Sequence, residues 1–189
     1  MIDQDAYAVL KSAWPSTGLP EPSEAELHAA MCVARLETQY GEGWKGVMTG
    51  SNNWGAIQAG KPPARPGYSR LYQDTHPNAD GTSTAYHICF REYPTPEEGA
   101  ADLLRVLYVR RPKVLAAAGE ASIQAVAEAM HESGYYEGFG ATIENRITNY
   151  ANALWRNYQS ILKRTGWQPV LSRRVDFPPS FEPPRESQP

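Results

Sequence analysis

Ser23-Glu24-Ala25-Glu26-Leu27-His28-Ala29-Ala30-Met31-Cys32-Val33-Ala34-Arg35-Leu36-Glu37-Thr38-Gln39-Tyr40-Gly41 is the stretch whose reading decides the fold. Ser23 stands three residues before Glu26, the capping-box spacing in which each side chain satisfies a backbone N–H of the other's turn. A helix therefore starts here. Residues 29–34 are apolar around the full circumference, and Leu36 extends the run. A helix without a polar face is buried on all sides, so other helices must wrap it. The pattern ends near Gly41, and in its last turn stands Glu37, where the central helix comes to the surface. A carboxyl in such a half-apolar spot has its charged form disfavoured, which moves its pKa toward that of a working general acid. By position alone, a Glu in a last helical turn is a solvated surface residue. Its surroundings have to decide between the two readings.

Outward from this helix the chain is mostly helical. Residues 5–13 alternate at helical spacing before Trp14-Pro15 breaks them, which predicts a short first helix. Thr95-Pro96-Glu97-Glu98 is a second capping signature, with Pro at the first helical position, and predicts a helix to about Tyr108. Ser122 opens another that stops at Gly134. After Thr142, the residues Ile143, Ile147, Tyr150, Ala151, Leu154, Tyr158, Ile161 and Leu162 recur with a 3.6-residue period and read as one core-facing stripe. Between these helices, residues 43–66 are rich in Gly, Asn and Pro. Residues 68–93 alternate in the strand manner around Asn78-Ala79-Asp80-Gly81, a hairpin signal. Six prolines follow Trp167, so residues 168–189 are expected to form an extended tail, mobile or docked on a partner.

The chain of 189 residues is long enough for one domain with a sizeable core. Lys plus Arg number 18 against 21 Asp plus Glu, a net charge of −3, and such a balance argues against a nucleic-acid binder. No run approaches the roughly 20 apolar residues of a membrane span. The acidic start Met1-Ile2-Asp3-Gln4-Asp5 differs from the basic-then-apolar pattern of a secretory signal. The expectation is a chain made in the cytoplasm without a signal peptide. Tyr (11) and Trp (5) outnumber Phe (4), which slightly favours a sugar ligand, since such rings stack on an apolar sugar face and hydrogen-bond at an edge.

Several constellations point away from metal or cofactor chemistry. His28 and Cys32 lie four apart on one helix face, but a zinc site needs three or four ligands, and His76, His87 and His131 show no complementary spacing. No phosphate loop or dinucleotide fingerprint occurs. Cys32 reads as core, and a disulfide to Cys89 is conceivable only if the hairpin base packs on the buried helix. Arg110-Arg111, ahead of Pro112, reads as a solvated helix end. In Ser51-Asn52-Asn53-Trp54-Gly55-Ala56-Ile57-Gln58, by contrast, the amides of Asn52 and Asn53 beside the Trp54 indole suit a sugar's hydroxyls and apolar face.

Four motifs in order carry a resemblance: Leu36-Glu37-Thr38-Gln39-Tyr40-Gly41, Ser51-Asn52-Asn53-Trp54-Gly55-Ala56-Ile57, Phe90-Arg91-Glu92-Tyr93 before a Pro-Thr-Pro-Glu-Glu helix start, and Ser133-Gly134-Tyr135. Together they resemble the bacterial peptidoglycan glucosaminidases of the autolysin and flagellar-assembly type, glycoside hydrolase family 73 in the lysozyme-like superfamily. The resemblance implies a mainly α (α+β) fold, a lysozyme-like α lobe with a small β-hairpin lobe, over residues 1–167 with its core in 23–167. It implies cleavage of the β-1,4 bond between N-acetylglucosamine and N-acetylmuramic acid in peptidoglycan glycan strands, with Glu37 matching the general acid and Tyr135 the cleft tyrosine. The second carboxylate would lie on the hairpin, where Asp74 is preferred over Asp80 and Glu92. Asn52, Asn53, Trp54 and Tyr136 are the expected substrate-binding residues, and neither metal nor cofactor is implied. A lysozyme or lytic transglycosylase acting on the other bond, or a non-catalytic murein- or partner-binding module with a lysozyme-like shell, stays open. Action on the cell wall, in the periplasm or outside, would then require non-classical delivery or host lysis. The Pro-rich tail would serve as the handle for a delivery apparatus.

Overall fold

The computed structural model of the chain describes residues 1–43, 49–77, 82–136 and 140–173, with the backbone alone at 74–77 and 83. Helix α2 (Glu24–Thr38) is the axis of the α lobe. Both halves of the capping box form: Glu26 N–H donates to the Ser23 hydroxyl, and Ser23 N–H to the Glu26 carboxylate at 2.7 Å. Leu27, Ala29, Ala30, Met31, Cys32, Val33 and Ala34 are all buried, as expected of a helix with no polar face. The helix stops because Gln39 takes the left-handed conformation at φ 51° while its N–H still reaches the Ala34 and Arg35 carbonyls. This C-cap lies two residues before the expected end at Gly41.

Around α2 pack α1 (Asp3–Ala13), α3 (Pro96–Leu104), α4 (Pro112–Gly119), α5 (Ile123–Glu132) and α6 (Ile143–Thr165). Thr95, Ser122 and Thr142 cap α3, α5 and α6 through their hydroxyls, at the positions the sequence predicts. Two features were not predicted. Helix α4 is a separate element, and α3 runs on as a π-helical turn over Arg105–Val109, in which Arg110 N–H donates to the Arg105 carbonyl five residues back.

The β lobe is a three-stranded antiparallel sheet in the order β1-β3-β2, rather than a lone hairpin. Strands β2 (Ser69–Pro77) and β3 (Ser83–Arg91) pair one-to-one from Ser69↔Arg91 to Pro77↔Ser83. Strand β1 (Gln58–Gly60) joins the other edge of β3. The expected turn at 78–81, with Asp80, lies outside the described residues.

A buried charge knot joins the sheet to α3: Arg91 and the Tyr93 hydroxyl both engage the Asp102 carboxylate. Cys32 and Cys89 are both buried free thiols. The chain also stays attached beyond Trp167, where a tail was expected to begin. The Tyr158 hydroxyl accepts N–H groups from Val170 (2.7 Å) and Leu171 (3.0 Å), and Ser172 bridges to Ser122. A buried hydroxyl with two lone pairs to fill makes these bonds worth forming. The rest of the predicted tail, from 174 on, lies outside the described residues. Among those described, no helix is long and apolar enough to cross a membrane.

Candidate active site

Glu37 leaves α2 one residue before its end, half-buried, in the position that tests the two readings of its carboxyl. It does not stand in open solvent. The Tyr150 hydroxyl, from α6, donates to Glu37 Oε1 at 2.6 Å. Burial pushes the Glu37 pKa upward, and the Tyr150 bond pulls more weakly the other way, because it favours the ionised form. Burial, with the Glu37 charge nearby, keeps the Tyr150 and Tyr135 hydroxyls well above their ordinary pKa, so both remain donors at neutral pH.

The tyrosines around the acid are themselves held. Tyr150 stacks on Tyr136 with ring centroids 3.8 Å apart and planes within 13°. The Tyr136 hydroxyl donates to the Ala127 carbonyl of α5 at 3.1 Å, and that of Tyr135 to the Gly55 carbonyl at 3.2 Å. Gly55 has no room for a side chain: a Cβ there would fall 2.7 Å from Leu103 Cδ1 and 3.0 Å from the Tyr135 hydroxyl. A glycine at this point of the loop is what lets Tyr135 dock.

Tyr135 and Tyr136 form one wall of a cleft of about 900 Å³, whose other walls include Gly55, Gln58, Tyr86 and Arg111. The cleft therefore runs between the α lobe and the sheet, with Glu37 beside its tyrosine wall. The backbone of position 74 on β2, the preferred place for the second carboxylate, pairs with that of Tyr86 on β3, a cleft residue. Glu92, the rejected candidate, is paired with Arg70.

Two of the expected sugar contacts are closed off from a ligand. Asn53 and Trp54 are fully buried. Both Asn53 amide hydrogens are spent, on the Ile57 carbonyl at 3.0 Å and the Arg91 carbonyl at 3.1 Å, while its oxygen accepts from Ile57 N–H at 2.8 Å. Asn52 is latched to the Tyr93 carbonyl at 2.9 Å. Trp54 packs on Tyr40, with centroids 5.6 Å apart. These residues satisfy the backbone of a buried loop, which would otherwise carry unpaired polar groups. None of the three is among the described residues that line the cleft.

Sequence reasoning also missed two residues. Tyr150 was counted in the core stripe of α6, and its 3.6-residue spacing held no sign of the hydroxyl's target. Arg111 was assigned to solvent, whereas its guanidinium lies 5.3 Å from the Tyr135 ring centre. Only a Tyr among Ile and Leu on the stripe, where an all-apolar residue would do, carried a usable signal. Among the described residues, no cluster of three or more His, Cys, Asp or Glu side chains is arranged to hold a metal.

An α lobe built on one buried helix, with a small antiparallel sheet across a cleft, is the lysozyme-like arrangement. The solved structures it is similar to are of that class. A mutant of a peptidoglycan hydrolase from Sphingomonas sp. A1 is 23% identical with a TM-score of 0.55, the match covering 84% of this chain and 95% of that one. Another structure of the Sphingomonas hydrolase is 20% identical with a TM-score of 0.52, covering 90% and 96%. The catalytic domain of the autolysin Auto from Listeria monocytogenes is 10% identical with a TM-score of 0.52, covering 86% and 81%. These are likenesses of fold. No protein-family model matches the chain, and no curated protein sequence does.

Proposed function

We propose that this protein is a glycosidase that hydrolyses the β-1,4 bond between N-acetylglucosamine and N-acetylmuramic acid in peptidoglycan, with Glu37 as its general acid. The observation that carries the reading is a single carboxyl: half-buried at the end of the central helix, raised in pKa by that burial, and hydrogen-bonded to Tyr150 beside a cleft wide enough for a glycan. That the fold neighbours from Sphingomonas are peptidoglycan hydrolases supports the same substrate.

In this mechanism Glu37, whose burial favours the protonated form, delivers its proton to the leaving glycosidic oxygen, a step typically contributing about 10²–10⁴-fold in rate. Positive charge then develops at the sugar ring, and Asp74 on the hairpin, or the substrate's own acetamido group, stabilises it. Tyr135 shapes the cleft at the acid and excludes water there.

Mass spectrometry of digested murein tests the reading. Fragments ending in reducing N-acetylglucosamine are expected from the wild type, and loss of product from Glu37→Gln. Fragments ending in muramic acid or an anhydro sugar would overturn the bond assignment, and full activity in Glu37→Gln would overturn the acid. Binding without any product would leave a murein-binding module.

A further inference from the structure

Among the described residues, the charged side chains that line the cleft are all basic. Its charged lining residues are Arg91, Arg110 and Arg111, in a chain whose net charge is −3. Arg91 is matched internally by Asp102. Arg110 and Arg111 are not: among the described residues, neither has a carboxylate within ion-pairing distance, and no acidic side chain lines the cleft with them.

The local backbone explains why the pair faces inward. The π turn over Arg105–Val109 makes its closing bond from Arg110 N–H to Arg105, and Arg111 then leaves the helical path as the residue before Pro112. The Val106 carbonyl is taken by the Arg111 side chain, Nη1 donating at 2.6 Å. With Nη1 anchored and the guanidinium over Tyr135, the Arg111 side chain has little rotamer freedom left to lose on binding a ligand. Arg111 Nε is buried and has no hydrogen-bond partner among the described residues. Arg110 next to it is exposed at the cleft edge.

Two adjacent cations with no counter-charge among the described residues, one of them preorganised, define a site for an anion. We infer that Arg110 and Arg111 form a subsite for a carboxylate of the peptide stem carried by muramic acid, so that the cleft selects acidic, peptide-bearing glycan over neutral glycan. This inference rests on the proposed murein substrate. A planar carboxylate is the group the guanidinium fork fits, and partial burial beside Tyr135 lessens solvent screening.

Calorimetric binding to Glu37→Gln, which holds substrate without turning it over, tests the subsite apart from catalysis. The probes are an N-acetylglucosaminyl-N-acetylmuramyl peptide with free carboxyls, the same fragment with its carboxyls amidated, and chitotetraose. The acid form is expected to bind about tenfold more tightly than the amide, a difference of about 1.4 kcal/mol, and the preference to shrink as salt is raised. Adding Arg110→Ser should erase the preference, as should Arg111→Gln, and chitotetraose reports how far either substitution changes the binding of neutral glycan. Arg110→Ser removes no internal bond, so it reports even where Arg111→Gln disturbs the fold. Equal affinity for acid and amide forms, or a preference that survives both substitutions, overturns the subsite even if the wild type cleaves murein. Absence of product with the preference intact overturns hydrolysis and leaves the subsite standing.

Discussion

Asp3 and Glu37 are both carboxyl groups drawn in beside the central helix, and their surroundings differ in kind. Asp3, only 3% exposed, receives a two-pronged bond from Arg164, with Nε and Nη2 each at 2.8 Å, and a third from the Tyr40 hydroxyl at 2.7 Å. Arg35 stands 3.8 Å away. Glu37 is met by the neutral Tyr150 hydroxyl and lies near Tyr135. The Asp3 carboxylate, clamped by a guanidinium, ties α1 to α6. Burial at Glu37 disfavours its charged form and holds its proton more tightly. The first arrangement holds the fold, and the second is suited to chemistry.

The sharpest way to break this contrast is Glu37→Gln. Product release should fall about 10²–10⁴-fold, while the fold gains stability at neutral pH. The sign follows from linkage: the folded chain holds the Glu37 proton more tightly than the unfolded chain. Wild-type stability therefore declines as pH rises from the ordinary carboxylate range through the raised folded value. The variant lacks that decline, so its melting temperature should exceed the wild type's at pH 7 and the gap should close toward pH 4. A gap that widens on acidification would refute the assignment.

Asp3→Ala should do the reverse, costing about 3–5 kcal/mol in urea unfolding because Arg164 and Tyr40 lose a buried partner. Its product pattern well below the melting temperature should be unchanged. If activity fails with stability intact, the two carboxyls are not divided as described.

Tyr150→Phe sharpens the comparison at the acid. Without the donor that favours the ionised form, the Glu37 pKa should rise further, and the alkaline limb of the rate profile should move up by about one pH unit. A purely packing role for Tyr150 would lower the rate at every pH and leave the limb in place. The smallest effect is expected at the opposite end of α2, where Ser23→Ala should cost about 1 kcal/mol in thermal unfolding and leave the pH profile unchanged.

What was legible in the sequence was local. The capping hydroxyls of Ser23, Thr95, Ser122 and Thr142, the all-apolar run in α2 and the alternation in β2 and β3 each bias a few neighbouring residues, and the structure follows them. Helix α4 escaped because its Ala-rich stretch has neither a capping side chain nor a long stripe. In the Asn52-Asn53-Trp54 run, Asn53 and Trp54 serve the loop rather than a ligand. Composition shows that amides and an indole are together, but not that the backbone of 51–57 would consume both amide hydrogens of Asn53 before a sugar could.

The amino-acid sequence by itself thus determined the mainly helical architecture, the buried central helix and the carboxyl at its end, because periodicity and capping act within a few residues along the chain. The tertiary structure alone decided what that carboxyl meets. Tyr150 is 113 residues from Glu37, and Tyr135 is 80 residues from Gly55. Hydrogen-bond partners, burial and hence pKa are properties of groups brought together through space, and nothing in the spacing of residues along a helix records them.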